Sequence, residues 1–227
     1  MTIEPEILFE DNHIIAINKP NNRLVQKDIT GDTALDDDIR QYIKKKYDKP
    51  GNVFLGVTHR LDRPASGVLL FARTSKALSR LNKMFREGEI KKTYWAIVKN
   101  KPPDQTGILR NYMVKNQKQN KSYCYQEEVK NSKLAVLEYT WLAGSENYHL
   151  LEINLKTGRH HQIRAQLAHI GCPIKGDLKY GFPRSNPDGG ISLHAWRAEF
   201  IHPVSKEQII ITAPVPVNDK LWNILSL

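Results

Sequence analysis

The 227-residue sequence predicts an α+β fold built on a largely antiparallel sheet. Short runs of alternating or β-branched residues recur along the chain, and they mostly follow one another directly. Turn-forming residues separate several of these runs, as in antiparallel hairpins. Only a few segments carry the apolar spacing of a helix, so a regular strand–helix alternation is not predicted.

Nine strands are predicted, and three pairs of them are expected to form hairpins. The strands cover 7–11, 13–18, 53–58, 67–72, 93–98, 133–142, 148–155, 193–201 and 208–213. Gly, Asn, Asp or Pro predict hairpin turns at 11–12, 144–147 and 203–206. The most polar stretch, 115–130, is interpreted as an exposed excursion from the sheet.

Two helices are predicted in the first half of the chain and a short one near its end. Thr33 and Asp36 have capping-box spacing at the start of the first helix, which ends in a run of lysines. The second helix begins at Ser75, and Gly88 suits its C-terminal cap. The short helix is expected at 220–225.

The charge of the chain indicates a polyanionic partner. Lys and Arg total 34 against 24 Asp and Glu, giving a net charge of +10 and a pI of about 9.5. Nucleic acid is the first expectation and an anionic membrane surface the second. No apolar run reaches the ~20 residues of a membrane helix. The absence of a signal-peptide pattern and two isolated cysteines favour a cytoplasmic protein with reduced thiols.

The loop HRLDRPASG places one carboxylate, Asp62, between Arg60 and Arg63. Loops held between strands commonly display catalytic groups. The alternative is a turn-capping Asp that bonds its own backbone. Because two guanidinium groups favour the ionised form, this carboxylate would be a poor general acid but a serviceable nucleophile or weak base.

A second basic segment, KTGRHHQIR at 156–164, opens the third predicted helix directly after a strand. The helix is expected to begin near Arg159, with Thr157 and Gly158 as its cap, and to end at Gly171. The N–H groups of a helix start favour anions, although a solvated basic face is the common alternative. A metal site is not predicted, because adjacent histidines diverge on a helix and no further ligands complete a set.

An aromatic pair, Tyr94 and Trp95, lies in a predicted strand, where the two side chains point to opposite faces. Core packing of both is one interpretation, and stacking of one ring on a base is the other. Glycine loops for phosphates, dinucleotide fingerprints and Ser-His-Asp motifs are absent from the sequence. The residues alone therefore indicate a basic α+β protein that carries an Asp in a guanidinium-rich loop and acts on nucleic acid.

Taken together, the ordered motifs from about residue 5 to 215 resemble the RluA-type RNA pseudouridine synthases. The motifs are IIAINKP (14–20), HRLDRPASGVLLFART (59–74), KKTYWAIV (91–98), LKTGRHHQIRAQLAHIGCPIKGDLKYG (155–181) and LHAWRAEFIHP (193–203). The resemblance implies isomerisation of uridine to pseudouridine in RNA, with no cofactor and no metal. It implies that Asp62 is the catalytic aspartate, that Tyr94 packs on the target uracil and that Arg164 pairs with the carboxylate. The implied substrate-binding residues are Arg60, Ile163, Arg159, Lys19, His161 and Gln162.

The resemblance also implies a fold of two subdomains with a basic cleft between them and a few flanking helices. A single catalytic domain is expected at 5–215, followed by a short helix or tail at 216–227. No S4 RNA-binding domain is expected ahead of it, which favours a stem-loop of tRNA or rRNA as the target. A cytoplasmic monomer without an obligate protein partner is the accompanying expectation. Pro64, Ala65 and His160 depart from the usual motifs and bear on loop shape and substrate fit.

Two other functions are considered on the same residues. A non-catalytic RNA-binding protein would explain the charge but not the combination of Asp62, Tyr94 and Arg164. An Asp-dependent nuclease or glycosidase generally needs paired carboxylates or metal ligands, and the HRLD segment has no such partner in the sequence.

Overall fold

The computed structural model describes residues 4–27, 34–217 and 219–225, which form an α+β protein of two compact units. Unit 1 comprises Met1–Lys91 and Ala195–Pro214, and unit 2 comprises Lys92–His194 and Val215–Leu227. The predicted α+β class is confirmed. The single domain at 5–215 and the basic cleft remain predictions.

The elements of the described residues follow the chain in this order. The strands are β1 (Ile7–Glu10), β2 (Ile14–Lys19), β3 (Gly56–Val57), β4 (Ser66–Ala72), β5 (Lys91–Val98), β6 (Thr106–Asn116), β7 (Lys121–Tyr125), β8 (Lys133–Gly144), β9 (His149–Leu155), β10 (Leu193–Ile201) and β11 (Gln208–Thr212). The helices are α1 (Leu35–Lys46), α2 (Ser75–Glu87), α3 (Gln162–His169) and α4 (Lys220–Leu225), with a 3-10 turn at Leu178–Tyr180.

Unit 1 is a sheet in the order β1-β2-β4-β10-β11, with β3 paired to β4. The β1–β2 and β10–β11 pairs are antiparallel, as predicted for these two hairpins, and the β2–β4 pair is antiparallel as well. Helix α2 packs Leu81 and Met84 against Ile14 and Leu70 of the sheet. The predicted C-terminal cap of α2 is confirmed, since Gly88 adopts φ 74°. The capping residue predicted for α1, Thr33, lies outside the described residues.

Unit 2 is an antiparallel sheet in the order β5-β9-β8-β6-β7. Helix α3 packs Ala165 against Met113 and Ala135 on one face of this sheet. The predicted short helix at 220–225 is confirmed, and its Trp222 packs with Ile97.

The interpretation of 115–130 as an excursion from the sheet is wrong in part. Strand β6 runs from Thr106 through Asn116, and Lys121–Tyr125 is strand β7, paired to β6 residue by residue. Polar residues at buried positions of these strands hide the alternation. Asn111 is buried because its Oδ1 accepts a hydrogen bond from Gln166 Nε2 at 2.8 Å, and Ser122 is buried because its Oγ donates to the carbonyl of His160 at 2.7 Å.

The predicted start of the third helix is also wrong. Helix α3 begins at Gln162, and its N-cap is His161, at φ 53°, rather than Thr157 or Gly158. The Thr157 side chain instead donates to Gln162 Oε1 at 2.8 Å and accepts from the amide of Val136 at 2.8 Å. These bonds hold the preceding loop against β8, so the chain turns into the helix three residues later than expected.

Candidate active site

A buried lysine anchors the loop that carries Asp62 through hydrogen bonds to its backbone. Lys19, at the end of β2, is fully buried, and its ammonium donates to the carbonyls of Pro20 at 3.0 Å, Arg63 at 2.9 Å and Ala65 at 2.7 Å. Three donors therefore meet three carbonyls, two of which belong to residues one and three positions after Asp62. These contacts are all within the protein, and a contact of Lys19 with RNA remains a prediction.

The charges around Lys19 connect it to the candidate catalytic group. Burial lowers the pKa of Lys19 to about 7, and the nearby Asp62 carboxylate opposes that shift. Asp62 itself is half-buried, whereas its neighbours Arg60 and Arg63 are exposed. The loop thus presents one carboxylate, with the buried Lys19 amino group nearby and two exposed cations beside it.

The two ends of the Asp62 loop are fixed by strand β4. Thr58 Oγ1 donates to the carbonyl of Leu70 at 2.7 Å, and His59 Nε2 accepts from the Leu70 amide at 3.1 Å. The amide of Ala65 bonds the carbonyl of Asp62 at 3.0 Å, which closes a tight turn. Asp62 therefore sits on a turn whose backbone is bonded on both sides.

Gly67 completes this turn because no other residue fits. Its φ is +110°, and a Cβ there would lie 2.3 Å from the carbonyl oxygen of Ala195. A contact this short with backbone cannot be relieved by a side-chain rotation, so the sequence needs glycine immediately after the loop.

In unit 2, Arg164 lies on α3 with its guanidinium buried against Asp177. Arg164 Nε donates to Asp177 Oδ2 at 2.7 Å and Nη2 donates to Oδ1 at 2.9 Å, with the two side chains 5% and 1% exposed. The Tyr180 ring lies 5.1 Å from Arg164 Cζ, at cation–π distance. The bidentate pair fixes the plane of the guanidinium. The predicted pairing of Arg164 with Asp62 remains a prediction.

His161 is held as a neutral ring. The Tyr180 hydroxyl accepts from the Ser122 amide at 2.8 Å and lies 3.0 Å from His161 Nδ1, to which it can donate. Burial lowers the pKa of His161 to about 2, and the charge of Arg164 acts in the same direction. Geometry and electrostatics therefore agree on an imidazole that accepts at Nδ1.

The remaining site candidates in unit 2 are Gln162, Ile163 and Tyr94. Gln162 accepts from the Arg159 amide at 3.0 Å and donates to the Val136 carbonyl at 3.1 Å, so it braces the loop before α3. Ile163 is 5% exposed on α3, and Tyr94 is 8% exposed on β5. The structure thus gathers Arg159, His161, Gln162, Ile163 and Arg164 on one loop and helix start, with Tyr94 on a separate strand.

The departures from the usual motifs have structural consequences of different size. His160 stacks on His161 with ring centroids 3.7 Å apart, and its Nδ1 lies 2.9 Å from Ser122 Oγ. Ala65 is buried and offers its carbonyl to Lys19. His160 therefore adds a link between β7 and α3, while Ala65 leaves the anchoring of the Asp62 loop intact.

Asp177 and Tyr180 are the site residues that the sequence analysis did not single out. Both lie in the GDLKYG segment, which contributed to the resemblance without receiving a role. No local signal marks Asp177 as buried, because Lys175 and Lys179 flank it, yet a buried carboxylate requires a charged or hydrogen-bonded partner. The identity of that partner, 13 positions earlier on α3, is not readable from local pattern.

Other kinds of site find no support in the described residues. Within residues 4–27, 34–217 and 219–225, no group of three His, Cys, Asp or Glu side chains could hold a metal ion. No helix in the described part of the chain combines the length and apolar character needed to cross a membrane.

Comparison with known proteins identifies the family. The RNA pseudouridylate synthase family matches residues 13–169, which include Asp62, Tyr94 and Arg164. The chain belongs to this family. Like its other members, this RNA pseudouridine synthase isomerises uridine to pseudouridine in RNA, and RNA is its partner.

Named relatives support that membership, and a solved structure shares the fold. A tRNA pseudouridine synthase C of Vibrio parahaemolyticus is 32% identical over 97% of this chain and 93% of its own length. A ribosomal large subunit pseudouridine synthase C of Buchnera aphidicola is 34% identical over 93% of this chain and 68% of its own. The human RNA pseudouridylate synthase domain containing 4 shares the fold, with a TM-score of 0.78, 24% identity and coverage of 94% and 89% of the two chains.

Proposed function

We propose that this pseudouridine synthase uses Asp62 as its catalytic group on a uridine flipped out of RNA. The observation that carries the proposal is the anchoring of the Asp62 turn by the buried ammonium of Lys19, which donates to the carbonyls of Arg63 and Ala65. A carboxylate on a turn held this firmly is preorganised, and it loses little conformational freedom when the substrate binds.

The reaction requires one bond to break and another to form. The N1–C1′ bond of uridine is cleaved, the base rotates, and a C5–C1′ bond replaces it. The C5 proton is released and N1 takes up a proton, so the composition of the nucleoside is unchanged. Since substrate and product are isomers, the balance needs neither oxidant nor reductant. Asp62 acts on the nucleoside directly, and the base stays bound throughout.

Tyr94 and Arg60 are proposed to stabilise the flipped nucleotide and its vacated place, and Arg164 is proposed to support the carboxylate. Flipping a nucleotide costs a few kcal/mol, and stacking of Tyr94 on the uracil offsets part of that cost. Arg164 keeps Asp62 ionised and oriented, and its own orientation is set by Asp177. Arg60, exposed on the same loop as Asp62, is proposed to occupy the gap left by the flipped nucleotide.

The remaining proposed RNA contacts come from residues around these three. Ile163 is proposed to line the uracil pocket. Contacts to the RNA backbone or bases are proposed for Arg159 and His161. Lys19 and Gln162, whose polar groups are bonded within the protein, are proposed to act on RNA binding indirectly, by holding the two site loops.

We propose tRNA as the substrate class. The support is the similarity over nearly full length to proteins named tRNA pseudouridine synthase C, from Vibrio parahaemolyticus and from Salmonella typhimurium at 33% identity. The relative named for the ribosomal large subunit is covered over a smaller share of its length. Action as a cytoplasmic monomer without an obligate protein partner belongs to the same proposal.

Tritium release from uracil C5 tests the substrate assignment. The RNA is transcribed or isolated without the relevant modifications, labelled at C5, and divided into tRNA and rRNA fractions. Release by the wild type from tRNA, with little from rRNA, is the expected result. Release from rRNA alone would reject the proposed substrate while leaving the isomerisation chemistry in place.

A further inference from the structure

The β6–β7 hairpin carries a tyrosine surface that the proposed catalytic roles do not use. Alternation along β7 places Lys121, Tyr123 and Tyr125 on one face. The two tyrosines are 38% and 41% exposed. Exposure of two large aromatic rings on one strand is a larger apolar surface than isolated exposed residues provide.

Neighbouring strands extend this surface sideways. Tyr125 is the direct cross-strand partner of Tyr112, and Tyr123 is the partner of Val114. Directly paired residues on one face have Cβ atoms about 5 Å apart, so these side chains are in reach of one another. On the other side of β6, Tyr112 pairs with Leu134 of β8. These five residues are called the tyrosine platform below.

The opposite face of the same strands is already covered. Ser122 is buried, and Cys124 packs against the cluster that contains Met113, Ala135 and Ala165 of α3. The hairpin therefore has an inner face that belongs to the core of unit 2 and an outer face that carries the tyrosines. Since the inner face supplies the packing, the tyrosines are not needed to hold β7 in place.

Positive charge surrounds the platform. Lys121 Nζ lies 5.5 Å from the centre of the Tyr123 ring, and Arg110 is exposed on the platform face of β6. Residues 108–133 contain six cations and two carboxylates. The cations are Arg110, Lys115, Lys118, Lys121, Lys130 and Lys133, and the carboxylates are Glu127 and Glu128. This local excess of positive charge beside aromatic rings suits a polyanion with exposed aromatic bases.

We propose that the tyrosine platform binds unpaired bases of the RNA substrate by stacking. Aromatic side chains on a sheet surface stack on exposed bases, while neighbouring cations attract the phosphates. A protein partner fits less well, because lysines are depleted from the cores of protein interfaces. The platform would strengthen RNA binding without touching the reacting uridine, so it acts on KM rather than on kcat.

Fluorescence anisotropy with a 5′-fluorescein oligouridine of twelve nucleotides tests this proposal. The full chain is compared with Tyr123→Ala, Tyr125→Ala and the double variant. Tyr123→Phe and Tyr125→Phe keep the ring and serve as conservative controls. Ile210→Ala removes a side chain of similar exposure, 50%, from β11 and is the matched control for loss of exposed apolar surface.

Each single alanine variant is expected to lose about tenfold in affinity for oligouridine, within the lower half of the range for base stacking, and the double variant should lose more. The phenylalanine variants and Ile210→Ala should stay within about twofold of the wild type. All variants should keep the wild-type melting temperature, because the tyrosines are outside the core. A fully paired RNA duplex of twelve base pairs should be bound less tightly and be less sensitive to both alanine substitutions.

Two results would contradict the proposal that the tyrosine platform binds RNA. One is wild-type affinity for oligouridine in the double alanine variant. The other is a concentration-dependent dimer in the wild type that the double variant abolishes, which would assign the face to a second copy of the chain. Tritium release is measured in parallel at saturating RNA. Loss of binding with unchanged maximal release supports the platform. Absence of release by the wild type and all variants alike would count against the proposed substrate class and not against the platform.

Discussion

Arg164 shows how a single buried charge constrains its surroundings. A guanidinium that is 5% exposed loses most of its hydration, and the loss is compensated by a carboxylate that meets two of its donors at 2.7 and 2.9 Å. The fork geometry leaves little freedom of rotation. Asp177 therefore determines where the rest of the guanidinium points, and we class it as a positioning residue for Arg164.

Replacing Asp177→Asn should lower kcat about a hundredfold with little change in KM. The guanidinium loses its opposing charge and reorients, and small misplacements of this kind have effects of that size. The free energy of unfolding should fall by about 3 kcal/mol, as when one partner of a buried ion pair is removed. Glu138→Gln, which breaks the exposed pair with Lys156, is the control and should change neither quantity. A rise in KM of Asp177→Asn without a fall in its kcat would contradict the positioning role.

The neutral state of His161 predicts a specific acid sensitivity. Its pKa in the folded protein, about 2, is below the ordinary value of 6.5, so between these values the unfolded chain binds the extra proton. Stability from this group is complete above pH 6.5 and is lost as pH falls. From pH 6.5 to 5.0 the free energy of unfolding of the wild type should fall by about 2 kcal/mol more than that of His161→Asn. Asparagine is chosen because it tolerates the positive φ of this position.

Urea unfolding of both proteins at several pH values measures this difference. The two should lose stability in parallel above pH 7 and diverge below pH 6.5. Parallel curves throughout the acid range would show that His161 takes up its proton in the folded state.

The strand that begins at Ser66 depends on a glycine that cannot be replaced. Gly67→Ala should destabilise the protein strongly and abolish isomerisation, because the new Cβ would meet the Ala195 backbone and displace the Asp62 turn. Gly88→Ala is the control, since Gly88 also has a positive φ but faces open space, and it should cost only about 1–2 kcal/mol. Urea unfolding and tritium release are measured together. Equal effects of the two substitutions would show that the backbone contact is unimportant.

The elements that could be predicted from the sequence are those whose apolar pattern is uninterrupted. Strands β2, β4 and β9 and the end of α2 at Gly88 follow directly from local residues. Strands β6 and β7 could not be found this way, because buried Asn111 and Ser122 are satisfied by side chains and carbonyls distant in sequence.

The same limit applies to the candidate site. The local pattern makes Asp62 and Tyr94 candidates, and the resemblance implies their roles and that of Arg164. The local pattern does not give the partners of these residues. The bonds from Lys19 to residues 44 and 46 positions later, and from Arg164 to Asp177, form only when separate elements pack.

The net charge of +10 predicts how the whole protein responds to salt. Each phosphate neutralised by Lys or Arg releases counterions, and the logarithm of affinity falls linearly with the logarithm of salt concentration. Raising salt from 50 to 200 mM should raise KM for RNA by about tenfold and leave kcat at saturating RNA unchanged. Initial rates of tritium release over a range of RNA concentrations give both quantities. A KM independent of salt would mean that phosphate contacts contribute little to binding.

Asp62→Asn tests the central claim most directly, with isomerisation and RNA affinity measured on the same preparation. The change removes the charge and keeps the shape, so tritium release should fall to the level of buffer while RNA affinity and melting temperature remain near those of the wild type. Near-normal release by Asp62→Asn would contradict the assignment of the catalytic group. The catalytic group would then be another side chain of this pseudouridine synthase.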